Sequence, residues 1–121
     1  MAEFRVVFVA ADYDATVGFF TDVMGLKLQR SFGDDQLGCI IEAADGLIEI
    51  FGAAADGPSD PVSGVTMAWE VADADAEHER LLAAGAEIVQ VPELQPWGHK
   101  NFVVQGPDGW KITLFQIVVP Q

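Results

Sequence analysis

One cysteine, six basic residues and two histidines are all that this 121-residue chain has of three side-chain classes that most often carry chemistry. The lone Cys39 excludes an intrachain disulfide and a thiolate metal cluster, and its setting in Cys39-Ile40-Ile41 reads as a buried structural thiol. Six Lys and Arg against nineteen Asp and Glu leave a formal net charge of -13. That balance repels phosphate backbones and anionic lipid, so neither nucleic acid nor a membrane is an expected partner. The same excess would concentrate cationic small molecules, although solubility is the simpler account of it. Long apolar runs are also missing. Val6 to Ala11 is broken by Asp12, too short for a signal or a membrane span, and no basic leader precedes it, so the expected location is the cytoplasm. His78 and His99 stand too far apart for an H-x-x-x-H pair, and no Ser-His-Asp or Cys-His arrangement, P-loop or complete Rossmann glycine pattern is present.

What the chain does contain, it contains twice. Val9-Ala10-Ala11-Asp12-Tyr13-Asp14-Ala15 is echoed by Glu70-Val71-Ala72-Asp73-Ala74-Asp75-Ala76, and Asp45-Gly46-Leu47-Ile48-Glu49-Ile50-Phe51 by Asp108-Gly109-Trp110-Lys111-Ile112-Thr113-Leu114-Phe115. Each half is one module. A module this short hardly buries a core alone, so the two should pack together, and the surface between them is the natural place for a site. The apolar share of 50% is ample for a single domain.

Within module one (1–52), Phe4 to Ala10 reads as a strand, Asp12 as a helix cap and Tyr13 to Met24 as a helix. Its stripe of Val17, Phe20 and Met24 ends at Gly25. Leu26 to Phe32, Leu37 to Ala43 and Leu47 to Phe51 follow as a meander with turns at Gly33-Asp34-Asp35 and Ala44-Asp45-Gly46. Residues 53–64, poor in periodicity, read as a linker. Module two (65–121) repeats the order: a strand at Val65 to Val71, a helix from Ala74 to Ala84 capped by Asp73 and stopped at Gly85, then strands at Ala86 to Val91, Lys100 to Gln105 and Trp110 to Val118. The connection Pro92 to Gly98 has no counterpart in module one. Packing of a repeated scaffold does not explain it, which makes it a candidate for function.

A doubled βαβββ unit with D-x-x-A at each strand-to-helix junction, V-x-D-x-x-A in full at the second, and P-D-G before the last strand resembles the vicinal oxygen chelate superfamily. Glyoxalase I, extradiol dioxygenases, methylmalonyl-CoA epimerase and the bleomycin resistance proteins belong to it. The resemblance covers essentially the whole chain and implies an α+β fold, two tandem βαβββ modules forming curved half-barrel mixed sheets, in one domain spanning 1–121. In that family four inward strand positions, normally His or Glu, ligate a divalent metal. Carried over one at a time, they fall on Arg5, Glu49, Thr66 and Thr113. Only Glu49 is a good ligand, and catalytic metal sites need about three, so the resemblance implies neither a metal nor another cofactor and no catalytic residue for this chain. Gln95-Pro96-Trp97-Gly98-His99-Lys100-Asn101-Phe102 followed by Gly106-Pro107-Asp108-Gly109 is most similar to the bleomycin resistance subgroup, with Lys100 where Arg is usual and Gly106 where Asp is usual. That subgroup acts without metal, sequestering the antibiotic in grooves of a homodimer.

Strand alternation then selects the pocket-facing set. Leu47, Glu49 and Phe51 share one face; Arg5 goes with Val7 and Val9, Thr66 with Ala68 and Glu70, and Lys111 with Thr113 and Phe115. Trp69 and Trp110 fall on the helix-covered face. The lining is mostly apolar, as in small-molecule pockets. Arg5 and Glu49 read either as an ion pair in the metal's place or as two side chains reaching solvent separately. Trp97, presented between Pro96 and Gly98, reads either as a stacking face for a planar or cationic ligand or as a plug closing the sheet end. His99 is expected at the pocket edge if the Pro92 to Gly98 connection folds over the pocket, and His78, between Glu77 and Glu79, on a solvated helix surface. Asp12, Asp14, Asp73 and Asp75 are helix-start residues rather than a catalytic pair. The expected ligand-binding set is therefore Arg5, Glu49, Phe51, Thr66, Trp97, Gly98, His99, Lys111, Thr113 and Phe115. The expected function is metal-independent binding of a small molecule, a cationic or planar antibiotic, by a homodimer. Alternatives are a metal-dependent lyase, isomerase or dioxygenase with its ligands elsewhere, and a degenerate scaffold with neither role.

Overall fold

The computed structural model describes residues 2–34, 37–52 and 60–119. Residues 53–59 of the expected linker, and Asp35 of the expected turn, lie outside that set. The chain divides into two compact units, 1–62 and 63–121.

In the first unit, β1 (Arg5–Val9) runs into α1 (Tyr13–Gly18), then β2 (Lys27–Phe32), β3 (Gly38–Ala43) and β4 (Gly46–Phe51). Asp12 caps α1 as expected: its Oδ1 accepts from the Ala15 amide at 3.1 Å, while the Thr16 hydroxyl donates back to the Asp12 carbonyl at 2.7 Å. The expected helix over Tyr13 to Met24 is not uniform. Phe19–Val23 forms a π-helical turn, with the Met24 amide reaching five residues back to the Phe19 carbonyl at 2.9 Å. The wider turn lets the adjacent Phe19 and Phe20 both be buried, edge to face at 5.1 Å. Gly25 then stops the helix at φ 76°, a conformation that a side chain with a Cβ resists.

The sheet runs β1-β4-β3-β2, with β1 parallel to β4 and the other pairs antiparallel. Cys39, Ile41, Ile48 and Ile50 are fully or almost fully buried, and burial of one such side chain contributes roughly 2 kcal/mol. Tyr13 at the start of α1 and Cys39 of β3 hydrogen-bond through their side chains, which ties the helix to the sheet. Burial raises the pKa of both, and for Tyr13 the Cys39 contact adds to the rise.

The second unit repeats the plan: β5 (Thr66–Glu70), α2 (Ala74–Ala83), β6 (Glu87–Leu94), β7 (His99–Gln105) and β8 (Lys111–Ile117), in sheet order β5-β8-β7-β6. The fold is α+β, each half a βαβββ unit with a four-stranded mixed sheet. Asp73 Oδ1 accepts from the Ala76 amide at 3.1 Å. Gln116 of β8 accepts from the Ala74 amide at 3.0 Å, and Lys100 of β7 pairs with Asp75, so the helix start is stapled to the sheet. Leu81, Phe102, Val104, Ile112, Leu114 and Trp110 form the core between them.

Two expectations are corrected. His78 does not sit on a solvated surface: its side chain is 14% exposed and its ring meets Phe102 edge to face at 5.5 Å, because the helix turns that position toward β7 despite the flanking glutamates. Pro92 to Gly98 is not an added loop either. β6 continues through Leu94, and Pro96-Trp97-Gly98 is a three-residue hairpin turn in which the Gly98 amide donates to the Gln95 carbonyl and the Gln95 amide to the His99 carbonyl. Pro92 is tolerated because β6 is an edge strand and its register shifts between Gln90 and Glu93.

Candidate functional site

Each sheet has a helix-facing side and an open side. In antiparallel pairs, directly opposed residues share a side, so the registers assign every strand position. On the open side of the first sheet lie Arg5, Val7 and Val9 of β1, and Leu47, Glu49 and Phe51 of β4. The opposed Ile40 lies beside Glu49. Arg5 Nη1 is 3.1 Å from Glu49 Oε1. Its Nη2 also holds Glu3 Oε1 at 2.6 Å. Arg5 is thus a bridge between two carboxylates, Glu3 and then Glu49, which together raise its pKa and keep the guanidinium charged. Of the two readings the sequence allowed, the structure shows the pair, with side chains 32% and 16% exposed. Phe51, two residues on from Glu49, meets Phe32 of β2 edge to face at 5.6 Å, and the Arg30 guanidinium lies over the Phe32 ring at 5.4 Å.

The open side of the second sheet has a different lining. It carries Thr66, Ala68 and Glu70 of β5, Lys111, Thr113 and Phe115 of β8, and His99, Asn101 and Val103 of β7. The His99 imidazole lies parallel on the Phe115 ring, 4.9 Å between centroids and 10° between planes. Thr66 is placed beside Lys111, and Thr113 beside Ala68. Both Thr66 and Lys111 are exposed. Trp97 sits at the hairpin tip, 51% exposed. Gly98 has φ 86° there, and its carbonyl accepts from the Val118 and Val119 amides at 2.9 and 3.0 Å, which fixes the turn against the end of β8. Trp110 is buried and Trp69 half-buried on the helix side, as alternation indicates.

The sequence reading missed Arg30 and Phe32 in the first sheet, and Gln90, Gln95 and Asn101 in the second. Asn101 follows His99 by two positions on one strand, so alternation carried one step further includes it. Arg30 and Phe32 needed the β2–β3 register, whose shift between Leu28 and Arg30 no sequence pattern announces.

The family model for the Glyoxalase/Bleomycin resistance protein/Dioxygenase superfamily matches residues 4–114. The chain belongs to this superfamily. Solved structures agree in fold. A glyoxalase/bleomycin resistance protein/dioxygenase from Nocardioides is 21% identical, with all of this chain and 86% of that one covered, at a TM-score of 0.78. Lactoylglutathione lyase from Agrobacterium tumefaciens is 16% identical over 95% of this chain and 92% of its own, at 0.75. TioX from Micromonospora sp. ML1 is 22% identical over 97% and 99%, at 0.73. No curated protein matches the chain by sequence.

The chemistry of the four residues onto which the resemblance carries a divalent metal does not fit one. Glu49 already accepts from a permanent cation, whose charge opposes a metal at the same carboxylate, and Thr66 and Thr113 offer neutral hydroxyls. Among the described residues, no three of His, Cys, Asp and Glu come together as a metal-binding group. None of the helices in the described residues is long and apolar enough to cross a membrane.

Proposed function

We infer that this superfamily member is a metal-independent binding protein for a planar or cationic small molecule, an antibiotic of the kind that bleomycin resistance proteins hold, and that it acts by sequestration rather than turnover. The observation that carries this reading is the Arg5–Glu49 pair, in which a guanidinium engages the one good metal ligand of the four. Each open sheet side by itself offers flat apolar groups with few charges: Phe51 with Phe32 on the first, and Phe115 with His99 on the second. Trp97 at the hairpin tip supplies a further stacking surface, and the acidic chain favours cations. Val89, Val91 and Leu94 stand exposed on edge strand β6, and a second copy that covered them would make the homodimer of this reading.

Two measurements test it together. Elemental analysis of protein purified without chelator is expected to find no stoichiometric zinc, manganese, nickel or iron; about one per chain, removable only with loss of stability or activity, overturns the reading. Titration with bleomycin-type glycopeptides, mitomycin-type quinones and peptide antibiotics is expected to quench tryptophan fluorescence at one saturable site, with the ligand recovered unchanged.

A further inference from the structure

The second sheet carries a polar cluster that neither the metal positions nor the hairpin motif accounts for. Gln90 of β6, Gln95 at the hairpin base and Asn101 of β7 bring three side-chain amides together on the open side. Gln90 Nε2 and Gln95 Nε2 both donate to Asn101 Oδ1, each at 3.0 Å. Gln90 Nε2 also lies 3.4 Å from the Asn101 main-chain oxygen, which can only accept, so the donor end of Gln90 faces Asn101. Two donors fill the two lone pairs of Asn101 Oδ1. What the cluster then presents is the Asn101 NH2 group and the two glutamine carbonyl oxygens. Among the described residues none of these has a protein partner, and all three residues are half-buried. Polar groups part-way out of water gain when a ligand satisfies them, and lose when a ligand covers them without doing so.

The cluster stands next to a flat surface. Asn101 is directly opposed to Phe115 in the β7–β8 register and two residues from His99, whose ring is stacked on Phe115. Donors and acceptors that are all neutral discriminate between ligand groups. A carboxylate offers only acceptors, which would face the glutamine oxygens with like polarity in a chain of net charge -13. A hydrocarbon offers nothing. A carboxamide offers one acceptor for Asn101 Nδ2 and two hydrogens for the glutamine oxygens.

Resting on the small-molecule reading above, we propose that Gln90, Gln95 and Asn101, with the His99–Phe115 ring pair beside them, form a subsite for an aromatic carboxamide. The aromatic ring lies against the ring pair and the amide is read by the three side-chain amides. The ligand class is thereby a planar ring bearing a primary amide, as distinct from a free acid.

Three probes of one shape test this: naphthalene-2-carboxamide, 2-naphthoate and 2-methylnaphthalene, titrated by calorimetry and followed by the side-chain NH2 resonances of Gln90, Gln95 and Asn101. The carboxamide is expected to bind about tenfold or more tighter than the other two and to shift those resonances, whereas 2-methylnaphthalene leaves them in place. Asn101→Leu and Gln95→Met are expected to reduce the preference for the carboxamide to about twofold or less, with 2-methylnaphthalene binding unchanged. If the amides only brace the hairpin, both ligands weaken together in the variants and the preference persists, which overturns the proposal. Equal binding of the three probes to the unaltered chain overturns the amide subsite and leaves the small-molecule reading standing. Binding of none overturns the subsite, and metal content and the antibiotic titrations then decide that reading separately.

Discussion

Arg5 meets Glu49 in an ion pair whose strength is measurable at single residues. In a double-mutant cycle, Arg5→Ala and Glu49→Gln are expected to show favourable coupling in urea unfolding, and the coupling should shrink in 0.5 M salt because both side chains are part-exposed. Zero coupling at low salt would mean that the two groups act separately. A second residue-scale prediction concerns alkali. Burial holds Cys39 and Tyr13 neutral above their ordinary values of 9.0 and 10.0. The unfolded chain therefore loses these protons first. The stability they contribute is complete below about pH 9 and declines as pH rises through 9 and then 10 toward the raised native values. Unfolding free energies at pH 7, 9 and 10.5 should fall in that order. In Cys39→Ala, which costs about 1 kcal/mol at neutral pH, the decline should begin nearer pH 10. A stability that rises over the same range would contradict the buried pair.

At the scale of elements, the β6–β7 hairpin separates architecture from binding. Trp97→Ala should leave the melting temperature within about 2 °C, since the ring is half exposed, yet weaken a planar cationic ligand roughly ten- to a hundredfold, equivalent to ~1 to 3 kcal/mol of stacking and cation–π contact. Gly98→Ala should do the reverse, costing about 1 kcal/mol or more because φ 86° disfavours a Cβ. Unchanged affinity in Trp97→Ala would make the ring a plug and move the site toward Glu49 and Phe51. Each cap is a further handle: Asp12→Ala and Asp73→Ala should each cost about 1 kcal/mol by thermal or urea unfolding. The strands and caps were legible in the sequence because alternation and Asp-x-x-Ala spacing act locally. The extension of β6 through Pro92 was not, since a proline reads as a breaker until the strand is known to be an edge. The π-helical turn was equally hidden, because Val17, Phe20 and Met24 suit an α-helical stripe as well. His78 was misplaced by judging its face from Glu77 and Glu79 alone. The Arg5–Glu49 pair was legible as one of two options, and only the placement of the side chains on adjacent parallel strands decides it.

At the scale of the molecule, charge and repetition govern behaviour. Nineteen acidic residues against six basic ones repel one another in the compact state, so raising salt from 10 to 500 mM at pH 7 should raise the melting temperature, the opposite of what dominance by the Arg5–Glu49 and Lys100–Asp75 pairs would produce. Light scattering at micromolar concentration should return the mass of two chains; a monomer would remove the second copy from the binding mechanism. Repetition has a subtler result. From Asp12 to Gly25 the chain is one residue longer than from Asp73 to Gly85, although the same cap and the same stop bound both stretches. The π-helical turn at Phe19–Val23 is where that surplus residue is absorbed. The one-residue mismatch between the two helical stretches is thus confined to a single turn of backbone, leaving both ends of the helix in phase with their sheet. Deleting Thr21 should erase the mismatch, giving a folded chain whose first helix is α-helical throughout, whereas deleting Ala15 should throw cap and core out of step and unfold the half that contains it.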